Sequence, residues 1–149
     1  MYKALYNNPM TAGEPLPFEL PKWIATAPFE EYLDMAIEEA ENGKALLTMP
    51  FRVKHCQGKG LMHGGAITAL ADTAVAMAIK SMLPEGSHFV TMEMTLKFLA
   101  PIHAGPVKAV ATAEFHDKRT INGTAEIFDG NGVNAAIFTS VFRVKRERR

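Results

Sequence analysis

Charge of one sign is the first thing this sequence lacks. Its 149 residues carry 16 Lys plus Arg and 16 Asp plus Glu, so the formal net charge is zero. A balanced chain has no broad electrostatic field for nucleic acid, and none is expected as a partner. Cysteine is nearly absent. Cys56 stands alone, so no intrachain disulfide can form, which suits a reducing, cytoplasmic setting. No run approaches the roughly 20 apolar residues of a membrane span, so no membrane partner is expected either. The stretch Met1 to Pro9 holds no apolar run of signal-peptide length. His55, His88, His103 and His116 stand at no metal-ligand spacing, so neither a metal nor a cofactor is called for. A Gly-x-Ser-x-Gly elbow is also missing, which argues against a serine-triad hydrolase. There is no internal repeat and no low-complexity segment. What remains is an ordinary globular composition, 48% hydrophobic and 21% charged, in a chain long enough for one domain with a sizeable core.

The informative stretch runs from Leu61 to Lys80. His63-Gly64-Gly65 opens a segment of Ala, Leu, Ile and Met in which nothing from Ala66 to Lys80 breaks a helix. Apolar residues occupy almost its whole circumference, which predicts a buried helix. Asp72 lies in the middle of it, and a carboxylate buried there is costly unless it is paired or used. Gly64 and Gly65 let a ligand approach the backbone closely. Free N–H groups and the positive dipole end at that point favour developing negative charge. One helix thus offers an oxyanion site and a carboxylate. The eight residues from Gly64 to Asp72 span roughly 12 Å of axis, too far for both to touch one carbonyl carbon. If both act, two antiparallel helices must each supply one part, which predicts a two-fold dimer with shared sites.

Around this helix the sequence divides into three parts. Residues 1–28 hold five prolines (Pro9, Pro15, Pro17, Pro21 and Pro28) and read as an extended arm, with Leu20, Trp23 and Ile24 available to pack on a partner subunit or on the chain's own domain. Residues 29–144 form the domain, and residues 145–149 a short basic tail. Phe29 to Asn42 reads as a helix, with Glu30 and Glu31 in its first turn and Gly43 as its stop. Ala45 to Met49 reads as a strand that continues past Pro50 toward Val53. Four strands follow the central helix in meander-like succession. In the first, Val90, Met92, Met94, Leu96 and Phe98 alternate with polar residues, which predicts one buried face and turns Thr91 outward. Val107 to Phe115 and Thr120 to Ile127 alternate likewise. Asp129-Gly130-Asn131-Gly132 is a hairpin turn, and Val133 to Val144, apolar on both faces at its centre, belongs inside the sheet. A buried helix wrapped by an antiparallel sheet is an α+β architecture.

Gly60-Leu61-Met62-His63-Gly64-Gly65, then Asp72, then Val90 to Pro101 with its Ala-Pro ending, resembles the hotdog-fold acyl-CoA thioesterases of the PaaI-like and 4-hydroxybenzoyl-CoA thioesterase type, over about residues 30–144. The resemblance implies a long central helix wrapped by a curved antiparallel sheet. It also implies a homodimer as the smallest active unit, in some members paired into a tetramer, and an acyl-CoA substrate. By the same resemblance Gly64 supplies the N–H that polarises the thioester carbonyl, and Gly65 lies against the substrate. Asp72 is the catalytic carboxylate, given by the other subunit. Gln57 stands near the thioester where many members have Asn, His63 orients that side chain or the substrate, and Thr91 helps place the attacking water. Asp117-Lys118-Arg119-Thr120 departs from the family's Gly-Arg pair, so no coenzyme A phosphate contact is carried over. A hotdog hydratase or dehydratase would use His with an acidic partner in other local motifs. A non-catalytic acyl-CoA-binding protein would have no need of Asp72.

Overall fold

A six-stranded antiparallel sheet wraps one long helix in the computed structural model, which describes residues 1–13 and 15–146. The short helix α1 (Pro28–Tyr32) leads into β1 (Ala36–Glu41) and β2 (Lys44–Met49). The central helix α2 (Gly64–Lys80) is followed by β3 (Phe89–Phe98), β4 (Val107–Phe115), β5 (Thr120–Phe128) and β6 (Asn134–Val144). The strands stand in the order β1-β2-β4-β5-β6-β3. The α+β, helix-in-sheet arrangement expected from the sequence is therefore present. α2 lies on the inner face of β2, β4 and β5. That face is lined by small residues, among them Ala109, Ala111, Gly123 and Ala125, so the helix settles close to the sheet and buries Leu70, Ala71, Ala74, Val75 and Ala78.

Four sequence expectations change. The helix expected over Phe29 to Asn42 is only α1, and its second half is the strand β1. Asp34 takes a left-handed conformation (φ 61°) that a helix cannot continue through. Asn42 and Gly43, both at positive φ (50° and 76°), form the β1–β2 hairpin turn rather than a helix stop. β2 ends at Met49, and Val53–His55 is a 3-10 turn rather than strand. The four later strands are not a plain meander either. β4, β5 and β6 are consecutive neighbours, but β3 crosses to the far edge and pairs with β6, which is internal as its two apolar faces require.

The fourth change is in β3. The pairing of β3 with β6 shifts between Thr91 and Glu93, so Met92 is a bulge. Met94, Leu96 and Phe98 pair with the inward-facing Ser140, Phe138 and Ala136, whereas Thr91 pairs with the inward-facing Phe142. The bulge thus moves Thr91 to the helix side and turns Val90 outward. The expected buried stripe is not buried: Val90 and Met92 are each 60% exposed and Phe98 56%, because β3 has no neighbour on its outer side.

The N-terminal segment packs on its own domain. Tyr2 is buried, the Trp23 indole N–H donates to the Lys80 carbonyl oxygen at 3.0 Å, and the Lys80 ammonium donates back to the Trp23 carbonyl oxygen at 2.9 Å. Of the basic tail, residues 147–149 lie outside the described residues. Among the described residues no helix is long and apolar enough to cross a membrane.

Candidate functional site

The loop ahead of α2 is a small antiparallel hairpin. Cys56 bridges Met62, the His63 N–H donates to the His55 carbonyl oxygen at 2.8 Å, and Gly60 takes the positive φ (85°) its turn requires. Its anchor is His55, which is buried. The His55 Nδ1 accepts the Arg52 N–H at 2.9 Å, so its Nε2 carries the proton and donates to the Leu33 carbonyl oxygen at 2.7 Å. Sequence reasoning saw His55 only as a non-ligand; a lone loop histidine carries no signal that it will fasten a loop. Gln57 sits on this hairpin with its side-chain oxygen taken up by the Lys59 N–H.

His63 is the N-cap of α2. Its Nδ1 accepts the Gly65 N–H at 2.7 Å, and its carbonyl oxygen accepts from Ala66 (3.0 Å) and Ile67 (3.2 Å). That accounts for three of the four leading N–H groups of the helix. The fourth, that of Gly64, has no acceptor among the described residues. Gly64 itself lines a pocket of about 420 Å³ together with Gln57, Leu61, Ile67, Phe98 and Pro101. The Phe98 ring covers Gly64 so closely that a Cβ there would stand 3.2 Å from its Cζ. The structure therefore brings Gln57, Gly64 and the β3 end at Phe98 together, and it places the His63 ring on the helix terminus with no hydrogen bond to Gln57.

Asp72 stands two turns further along α2, half-buried, and is not part of that pocket. Its Oδ1 accepts a hydrogen bond from the Thr91 hydroxyl at 3.0 Å. This contact exists because of the bulge at Met92. Burial raises the Asp72 pKa above the ordinary carboxylate value, against the lowering effect of the Thr91 hydroxyl, and the nearby charge of Glu30 raises it further. The site residues thus fall into two clusters along one strand: Gly64 under Phe98, and Asp72 against Thr91. Met77 is buried in the core, whereas Met92 and Met94 are exposed on the edge strand.

Residues 59–136, just over half the chain, match the family described as the thioesterase superfamily. The chain belongs to that superfamily. This thioesterase is 31% identical over 121 residues to the 1,4-dihydroxy-2-naphthoyl-CoA hydrolase of Listeria monocytogenes, covering 80% of this chain and 98% of that protein. It is 32% identical over 107 residues to the acyl-coenzyme A thioesterase PaaI of Escherichia coli, covering 71% and 74%. A mutant of the phenylacetic acid degradation protein PaaI of Thermus thermophilus superposes with a TM-score of 0.71 at 31% identity, over 78% of this chain and 99% of that one. The fold is the hotdog fold, and the chain is a PaaI-like thioester hydrolase.

Proposed function

We propose that the protein hydrolyses acyl-CoA thioesters in the cytoplasm, and that each active site is shared by two copies of the chain. The Gly64 N–H of one copy polarises the thioester carbonyl, and the Asp72 carboxylate of the other acts on the same carbon, either activating water or attacking to form a mixed anhydride. The observation that carries this reading is the unpartnered N–H of Gly64, a residue that lines a pocket with no carboxylate in its wall. A donor already aimed at the reacting oxygen costs no reorganisation in the transition state.

The edge strand supports the pairing. β3 offers unpaired backbone groups and exposed apolar side chains along its length, the combination that recruits another strand. Two β3 strands joined antiparallel about a two-fold axis near Met94 and Thr95 set Thr91 of one copy opposite Phe98 of the other. Asp72 of each chain then comes to the Gly64 pocket of its partner. Gln57 and Gly65 border the thioester from the Gly64 side, His63 fixes the helix terminus there, and Thr91 orients the carboxylate.

Mixing two inactive variants tests the sharing. Asp72→Asn removes the carboxylate, and Gly64→Val keeps the backbone N–H but blocks approach to it by filling the space under Phe98. Co-refolding equal amounts is expected to restore about a quarter of wild-type turnover, because half the dimers are mixed and each mixed dimer holds one intact site. A mixture as inactive as its components, with mixed dimers confirmed by native mass spectrometry, would place both groups in one chain. A second test concerns Thr91. In Thr91→Val the hydrogen bond that holds down the Asp72 pKa is gone, so the acid limb of the kcat/KM profile is expected to move to higher pH. The loss at neutral pH should be about ten- to a hundredfold, the scale of one hydrogen bond to a charged group.

A further inference from the structure

Gln57 stands on the first arm of the hairpin ahead of α2, and Gly64 directly follows the second, so the hairpin sets their separation. The Gln57 N–H donates to the Leu61 carbonyl oxygen at 2.8 Å, and the Gly60 N–H donates to the Gln57 carbonyl oxygen at 2.9 Å. The His63 N–H, one residue ahead of Gly64, donates to the His55 carbonyl oxygen at 2.8 Å. The Lys59 N–H takes the side-chain oxygen of Gln57, which leaves the amide nitrogen as the end free to donate. Gln57 and Gly64 line the same pocket.

The base of this hairpin is tied to the domain from both sides. On one side the Met62 N–H donates to the Ile102 carbonyl oxygen at 3.2 Å. On the other stands the His55 ring. Of the described residues, only His55 and Ser140 are polar and buried, and the chemistry above uses neither. The His55 ring is 1% exposed and does not line the pocket, so it does not meet substrate. Its Nε2–H reaches back 22 residues to the Leu33 carbonyl oxygen at 2.7 Å, while its Nδ1 holds the Arg52 N–H. Leu33 is itself buried in the core. Its neighbour Asp34 braces the junction from outside, accepting Arg52 Nε at 3.1 Å and Lys54 Nζ at 3.0 Å. Both ring nitrogens are therefore spent on fastening the hairpin base to the end of α1.

We infer that His55 is a positioning residue for the hydrolysis. By holding the hairpin base to Leu33 it fixes where the Gln57 amide stands relative to the Gly64 N–H. A donor assists a developing oxyanion only if it is in place beforehand, and a misplacement of about 1 Å costs up to a hundredfold in rate. A neutral imidazole suits this task because one rigid ring carries an acceptor and a donor at fixed spacing.

The inference rests on the thioester-hydrolase reading, and the test separates the two. kcat and KM are measured on octanoyl- and phenylacetyl-CoA for wild type, His55→Asn, His55→Gln, Gln57→Ala and the double variant His55→Asn/Gln57→Ala. Asn keeps an acceptor for the Arg52 N–H but is too short for Leu33, which the longer Gln amide reaches. His55→Asn is expected to lower kcat about tenfold with KM within about twofold, and His55→Gln to recover most of that loss. Once Gln57 is gone, His55→Asn should cost almost nothing further, because the two residues act through one geometry. A purely structural histidine predicts equal losses with and without Gln57, and that result overturns the inference. So does a rise in KM at unchanged kcat, or a Gln57→Ala variant with wild-type kcat. Nitrogen NMR of the wild type reads the ring without any variant. A proton on Nδ1 would leave the Arg52 N–H without its acceptor and overturns the latch even if the variants fold poorly. A wild type that hydrolyses neither thioester overturns the underlying activity, and the positioning role falls with it.

Discussion

Replacing Asp72 by Asn is expected to abolish turnover while leaving the protein at least as stable at neutral pH. The substitution keeps shape and removes charge, so activity should fall by about a hundredfold or more, the usual scale for loss of a general base. The stability half follows from burial. The Asp72 pKa is raised in the folded chain, so the folded state holds its proton to a higher pH than the unfolded state does. Stability is then greatest below the unfolded pKa. It declines as pH rises between the unfolded and folded pKa values, and above that window the ionised group carries its full cost. Asn has no such cost and retains an acceptor for the Thr91 hydroxyl. Urea midpoints of both proteins at pH 4 and pH 7, beside turnover on one acyl-CoA, check both halves. A variant that is inactive and also markedly less stable at pH 7 would make Asp72 a structural acid.

Gly123→Ala is expected to be strongly destabilising although it adds a single methyl group. A Cβ at Gly123 would lie far inside van der Waals contact with Val75 Cγ1 and 2.9 Å from Ser140 Oγ. Neither neighbour can swing away: Val75 is fully buried on α2, and the Ser140 hydroxyl donates to the Gly123 carbonyl oxygen at 3.2 Å. The helix must lift from β5 or the sheet must flatten, and overpacking of this kind costs about 1–3 kcal/mol. A cost at the upper end lowers Tm by roughly 6–12 °C in a domain of this size. Val75→Ala removes the colliding methyls, so the double variant should recover part of the loss despite the cavity it opens. Calorimetry on the three variants decides it; additive losses would mean that the close approach of helix and sheet is not what Gly123 permits.

How much of this could be read from the residues depended on which pattern dominated locally. The central helix was legible because its propensity, its apolar circumference and its polar cap agree, and Asp72 stood out against that background. The interior place of β6 was legible from its two apolar faces. Phe29 to Asn42 reads as a helix because Glu30 and Glu31 suit a first turn and Gly43 a stop, and because Ile37 and Ala40, three residues apart, share a face of β1 only through the register shift between Ile37 and Glu39. The deciding signal was local: Asn42-Gly43 is a hairpin dipeptide, and it took precedence over the reading of Gly43 as a helix stop. The edge position of β3 was not legible, since strand order is set by tertiary pairing. Nor was the inward turn of Thr91, because a bulge leaves no mark in an alternating run. Gly64 could be singled out by type, but its unbonded N–H shows only once His63 is seen to claim the other three.

The bulge at Met92 gives β3 a reading frame. Side chains before it and after it follow the same two-residue rhythm in opposite phase, so the strand carries one residue more than its ladder uses. Were the pairing to slide so that Met92 joined the ladder, Met94, Leu96 and Phe98 would stay where they are and Thr91 would turn away from Asp72. Loss of Met92 would instead restore a regular strand with Thr91 still opposite Phe142. At this point, then, one residue can be taken out without turning over either half of the strand, whereas straightening the strand at full length breaks the Thr91–Asp72 contact.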